Sequence, residues 1–202
     1  LSHRICFAST NSDALTKKEG EGFVGKFSVK FQESIEPIMY EETGCQLFPG
    51  QFDNFWRSIK GEEELSKIES FVEKYRDRVF IRDLLSLSVS LSRFKQDPGT
   101  YTKIGHWEHQ AKNYNNDEAL QLLIKEVEEF IGSTPFYKDA DFIIPIPNSI
   151  PEVDNIPTKI VKRGTFNVEV IPSQIKWTSQ KPAIKDLTLD EKWNHLEKAN
   201  LA

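Results

Sequence analysis

At 202 residues, 38% hydrophobic and 28% charged, the chain has the composition of a soluble globular protein, enough for one large domain or one and a half ordinary ones. No run approaches the ~18 apolar residues that a bilayer span needs, and Leu1 to Phe7 shows no basic-then-apolar leader, so a cytoplasmic setting without membrane is expected. The net charge of −5 is uneven, with seven acidic and eight basic residues from Ile150 onward against 24 and 18 before it. Neither part carries the concentrated basic face of a duplex binder, so nucleic acid is not an expected partner.

The only methionine is Met39, so a natural start upstream of Leu1 is expected. Cys6 and Cys45 are the only cysteines and make no CxxC site; they are expected to be buried and reduced.

Arg4 to Ala8 and Phe23 to Phe31 read as strands. The second places Phe23, Gly25, Phe27, Val29 and Phe31 on one side and Lys26, Ser28 and Lys30 opposite. The polar stretch between them, Ser9 to Gly22, reads as a loop. Ile35 to Tyr40 reads as a short strand that Pro37 confines to an edge. Glu41-Glu42-Thr43-Gly44 superficially matches a phosphoribosyl-pyrophosphate signature but lacks its spacers, and a turn after the edge strand is expected.

From Glu62 to about Leu91 the pattern is helical, with Leu65, Ile68, Phe71, Val72, Tyr75 and Val79 on one face. Over Ile81 to Phe94 the alternating serines leave a strand open. Gln96-Asp97-Pro98-Gly99-Thr100 marks a boundary between an α+β region over 1–96, of unassigned role, and a second domain over 97–202. His106 and His109 sit three apart with no third ligand at metal spacing, so they read as core or surface histidines and no metal residue is assigned. Asp117 to Ile131 is a helix capped by Asn116 or Asp117 and stopped by Gly132.

Asp141-Phe142-Ile143-Ile144-Pro145-Ile146-Pro147-Asn148-Ser149 is a bounded apolar run that suits a buried parallel strand with a ligand at its end. The segment Ile150 to Lys162, with two prolines, follows with a helical stripe at Ile156, Ile160 and Val161 and a stop at Gly164, then a strand over Val168 to Ile171. A polar loop runs to Asp186, and a last helix spans Thr188 to Leu201. That order is a parallel α/β sheet being wound.

From roughly Tyr101 to Ala202 the chain resembles the type I phosphoribosyltransferases, especially the competence-associated amidophosphoribosyltransferase-like group. The residues carrying this are Ile104-Gly105, Lys112 and Tyr114, Ala140 to Pro147, Thr178-Ser179-Gln180-Lys181, Leu187, Leu189, Glu191-Lys192 and Asn194. The resemblance implies a pyrophosphate-binding loop at Pro147, Asn148 and Ser149, and a flexible loop bringing Gln180, Lys181 and Lys185 over it. It also implies Mg²⁺ bridging the diphosphate oxygens.

The family's acidic Thr-Gly-x-Thr motif would follow the helix ending near Leu201, so the domain is expected to be incomplete at its C-terminus and no catalytic residue is assigned. The expected function is a protein acting on or binding phosphoribosyl pyrophosphate or a related phosphorylated nucleotide, hence a glycosyltransferase if the missing loop exists. The alternatives are a non-catalytic module within a larger assembly, for example in antiviral defence, and an α/β domain with no phosphoribosyl connection. A protein partner would engage the N-terminal region.

Overall fold

A computed structural model describes residues 3–9, 14–20, 22–97, 99–148, 153–172, 188 and 190–191. The chain forms two units: residues 1–106 with 134–136, and residues 107–133 with 137–202. Among the described residues the fold is mixed α/β, with five helices and four small sheets, three of them antiparallel.

The first unit begins with β1 (Arg4–Ile5), shorter than the expected strand because the chain turns into a 3-10 segment at Phe7–Ser9. A four-stranded antiparallel sheet runs β2-β3-β5-β4, from β2 (Leu15–Gly20), β3 (Phe23–Val29), β4 (Phe48–Pro49) and β5 (Phe55–Ile59). The alternation expected over Phe23 to Phe31 is present: Gly25, Phe27, Val29 and Phe31 are buried, while Lys26 and Lys30 are exposed. The expected loop Ser9 to Gly22 is overturned in part, because β2 lies within it and pairs with β3 through a turn where Gly22 has φ 80°. Thr16 and Lys17 sit on an edge strand open to water, so no apolar period betrays it.

The expected strand over Ile35 to Tyr40 is a helix, α1 (Glu36–Thr43). Pro37 occupies its first turn, where a fixed φ and a missing N–H cost nothing. Gly44 closes α1 in the left-handed region at φ 71°, its N–H donating to the Tyr40 carbonyl, so Glu41 to Gly44 is a helix end and not a turn after a strand.

The expected helix from Glu62 stops early: α2 is Glu62–Lys74, and the apolar residues beyond it pass into β6 (Val79–Ile81) and β7 (Val89–Ser90). These pair with β1 in the antiparallel order β1-β6-β7. Leu84 and Leu85 stand exposed on the turn between, where Asp83 accepts the Leu85 N–H, so their spacing never recorded a helix face.

α2 packs on the inner face of the four-stranded sheet. Phe7, Phe27, Phe71, Tyr75 and Phe80 form a ring cluster with centroids 4.9 to 6.5 Å apart, and the last four are at most 1% exposed. The expected boundary stretch forms a hairpin, β8 (Lys95–Asp97) and β9 (Thr100–Tyr101), with Gly99 at φ 103°.

Helix α3 (Lys103–Asn113) follows, and the division between the units falls within it, after His106. In the second unit α4 (Asp117–Ser133) opens on Asn116, whose side-chain oxygen accepts the Ala119 N–H. It runs through Gly132, which is therefore not its stop, and buries Leu120, Leu123, Ile124 and Phe130. β10 (Phe142–Ile143), α5 (Ile156–Arg163) and β11 (Glu169–Val170) complete the described elements.

β10 and β11 are parallel, paired Phe142 with Glu169 and Ile143 with Val170. The burial expected of that strand is overturned: Phe142, Ile144 and Ile146 are 51%, 45% and 75% exposed. Two strands of two residues bring too few neighbours to cover them. Of the expected last helix, Thr188, Asp190 and Glu191 are described: Thr188 Oγ1 accepts the Glu191 N–H while Glu191 Oε2 accepts the Thr188 N–H, a capping box.

Candidate functional site

The strand–loop–helix–strand passage of the second unit is where a ligand was expected. The chain leaves β10 through residues 144–148, is described again from Val153 into α5, and returns as β11 beside β10, with the Ile171 N–H donating to the Ile143 carbonyl at 2.9 Å. Pro147 and Asn148 lie in this crossing, both half-buried. Ser149 lies outside the described residues, as do Gln180, Lys181 and Lys185.

Two asparagines shape the loop. Asn155 caps α5, its side-chain oxygen accepting the Thr158 N–H at 2.9 Å, and its amide nitrogen donates back to the Ile146 carbonyl at 2.9 Å. Asn148 donates to the Val153 carbonyl at 2.9 Å. Of the three cations on α5, Lys162 meets both oxygens of Asp154 at 2.8 and 2.7 Å, and Arg163 meets Asp117 at 2.6 Å. Lys159 meets the neutral amide oxygen of Asn115 at 3.5 Å and, among the described residues, no carboxylate.

A second polar constellation lies in the first unit, and the sequence reading passed over it. An open cleft of about 360 Å³ is lined by Thr43, Gly44, Cys45, Arg57, Lys60, Gly61, Glu63, Glu64 and Lys67. Arg57 occupies an inward position of β5, between Phe55 and Ile59, and pairs through Nε with Glu64 Oε1. Glu64 also accepts the Lys60 N–H at 3.0 Å and the Cys45 thiol at 3.5 Å.

Burial alone would raise the Glu64 pKa, but the Lys60 N–H, Arg57 and Cys45 together hold it below the usual carboxylate range. Burial pushes the Cys45 thiol up. The pair is thus a thiol beside an ionised carboxylate, a resting hydrogen bond and not an activated nucleophile. A charged residue at an inward position of an alternating strand was the available signal for it.

Nearby, Tyr75 donates to Glu42 Oε1 at 2.6 Å, and the same oxygen accepts from Lys74 at 2.6 Å. Burial, with the Glu42 carboxylate next, holds the Tyr75 phenol above its ordinary range. His106 and His109 pack against Tyr101 and Tyr114, with ring centroids 6.4 and 5.6 Å apart. Gly105 lies so close to the strand before it that a Cβ would overlap the Phe94 carbonyl.

No helix among the described residues is long and apolar enough to cross a membrane. No protein-family model matches the chain, and neither a curated protein nor a solved structure shows similarity to it.

Proposed function

We propose that the β10–α5–β11 passage binds the diphosphate end of a phosphorylated ribose, with phosphoribosyl pyrophosphate as the reference ligand. The observation that supports this is the parallel return of β11 beside β10, which puts residues 144–148 at the carboxyl end of a strand whose chain goes on into a helix. Open α/β sheets take their ligands at such ends. In this reading the side chains of Asn148 and Asn155 hold the loop open as a cradle, and Lys159 supplies the cation.

Among the described residues, Asp154 pairs both oxygens with Lys162, and no group of three His, Cys, Asp or Glu residues is disposed for a metal.

Glu-Glu-Thr-Gly over 41–44 takes no part in this site: it is committed to a helix end in the first unit, with Glu42 on Lys74 and Tyr75 and with Thr43 donating to the Met39 carbonyl. A module that binds without transfer, serving within a larger assembly, is the alternative reading.

Titration calorimetry of the full chain with phosphoribosyl pyrophosphate, with and without Mg²⁺, tests the reading. Saturable heat that Lys159→Ala reduces about tenfold or more supports it. No heat at millimolar ligand overturns it. Release of pyrophosphate in the presence of bases or amines would replace the binding-only form with transfer.

A further inference from the structure

We propose that the outward face of the four-stranded sheet in the first unit is a binding platform for single-stranded nucleic acid. The register defines which side chains share that face. Thr16 of β2 stands opposite Lys26 of β3, Lys26 opposite Ser58 of β5, Ser28 opposite Trp56, and Trp56 opposite Phe48 of β4. The inward set faces α2 instead, with Lys17 on Glu69 at 2.5 Å, Arg57 on Glu64, and Phe27 against Phe71. The helix therefore covers one side of the sheet, and the other side carries Thr16, Lys26, Ser28, Trp56, Ser58 and Phe48, of which Thr16, Lys26 and Phe48 are exposed.

The uncovered face has a composition unlike the rest of the chain. Its paired positions Thr16, Lys26, Ser28, Phe48, Trp56 and Ser58 carry no acidic residue, in a protein with 31 acids and a net charge of −5. Its cation is the exposed Lys26, and the exposed Lys30 continues the β3 alternation one residue past the strand. Two aromatic rings lie side by side: Phe48, half exposed, and Trp56, with centroids 6.4 Å apart. Lys26 Nζ sits 5.4 Å from the Trp56 ring centroid. The approach of Gly50, where a Cβ would meet Trp56 at 3.0 Å, fixes the indole. Serine hydroxyls fill the positions between.

Rings to stack on and cations for a phosphate chain are what an unpaired strand needs from a sheet. A duplex keeps its bases from such rings, and an acidic peptide has no flat face to offer them. β3, seven residues at about 3.3 Å each, gives a path long enough for roughly three or four stacked nucleotides. The charge count by halves of the chain hides this face, because the paired positions that define it hold none of the acids.

The test is fluorescence anisotropy of a labelled oligodeoxythymidine of about 12 nucleotides with the whole chain, at low salt and across a salt series. The expected result is saturable binding whose log affinity falls with log salt at a slope near −1.4, about −0.7 for each of two phosphate contacts. Trp56→Ala and Phe48→Ala should each weaken it about tenfold, and Lys26→Gln should make the slope shallower by about 0.7. Lys67→Gln, on the exposed side of α2, should leave it unchanged.

Circular dichroism checks each variant, and Phe48, already half exposed, provides a ring deletion that spares the core. Absence of binding, or full affinity in folded Trp56→Ala and Phe48→Ala, overturns the proposal. So does equal competition by polyglutamate, or uptake by phosphatidylserine vesicles in place of the oligonucleotide. Because the readout involves neither β10 nor α5, its failure and the failure of the diphosphate reading are separable.

Discussion

The two units bury apolar surface in opposite ways. In the first, alternating strands and a 13-residue helix close five aromatic rings into one cluster, and Phe27, Phe71 and Phe80 are shut from water. In the second, α4 and α5 bury leucines and isoleucines between helices, while the short parallel pair leaves Phe142, Ile144, Ile146, Val153 and Val170 in solvent. The comparison teaches that hydrophobic content alone does not make a core. A run of apolar residues is buried only where neighbouring elements supply the facing surface, and a two-stranded sheet supplies little.

The sharpest way to break this contrast is Phe71→Ala. It should cost about 3–5 kcal/mol in urea unfolding, since it opens a cavity among rings that cannot collapse into it; a cost below about 1 kcal/mol would mean the cluster is not the core. Gly105→Ala should cost about 1–3 kcal/mol, because a methyl there forces α3 away from the Phe94 carbonyl.

Glu64→Gln should cost about 1–3 kcal/mol at pH 7, leaving Arg57 without its carboxylate. Its pH dependence has a definite sign. The folded pKa is depressed, so the unfolded state binds the proton more readily. The contribution is complete above the unfolded value near about 4.3 and disappears as pH falls through the folded value. Unfolding free energy measured from pH 7 to 3 should therefore decline less steeply in Glu64→Gln than in the parent.

Asn155→Ala should cost about 1 kcal/mol of helix capping. Hydrogen exchange should show the loss at Thr158 while the first unit stays protected. The smallest effect is expected at Ile146→Ser, within about 0.5 kcal/mol, because the side chain is already three-quarters exposed. A large cost there would show that the surface is covered in solution.

How much of this was legible depended on whether one physical force decided the element. The alternation of Phe23 to Phe31 and the stripe of α4 were plain because burial acts on one face of each. α5 was legible through its spacing, although its cap, Asn155, was not singled out. β2 was missed because Thr16 and Lys17 stay in water on an edge strand and leave no apolar alternation to record.

α1 was read as a strand because Pro37 suits a strand edge and a first helical turn equally well; the deciding signal was Gly44, a left-handed stop one turn past Tyr40. Beyond Lys74 the apolar steps of three and four persisted by coincidence, carried in part by Leu84 and Leu85, which face water. At the candidate site, the parallel passage was legible from element order. The clasping by Asn148 and Asn155 was not, because side-chain bonds to distant carbonyls leave no period in a sequence.

The hairpin before α3 has its two ends stapled together. Thr102 donates through its hydroxyl to the Arg93 carbonyl and through its N–H to the Phe94 carbonyl, and Gly105 donates to the same hydroxyl. The helix start is therefore set by the staple and not by the tip at Gly99. Doubling the length of such a closed loop adds only about 0.6 kcal/mol of closure entropy. The tip is thus a natural port for a peptide tag or a fluorophore, one that can report on either unit while leaving the start of α3 in place.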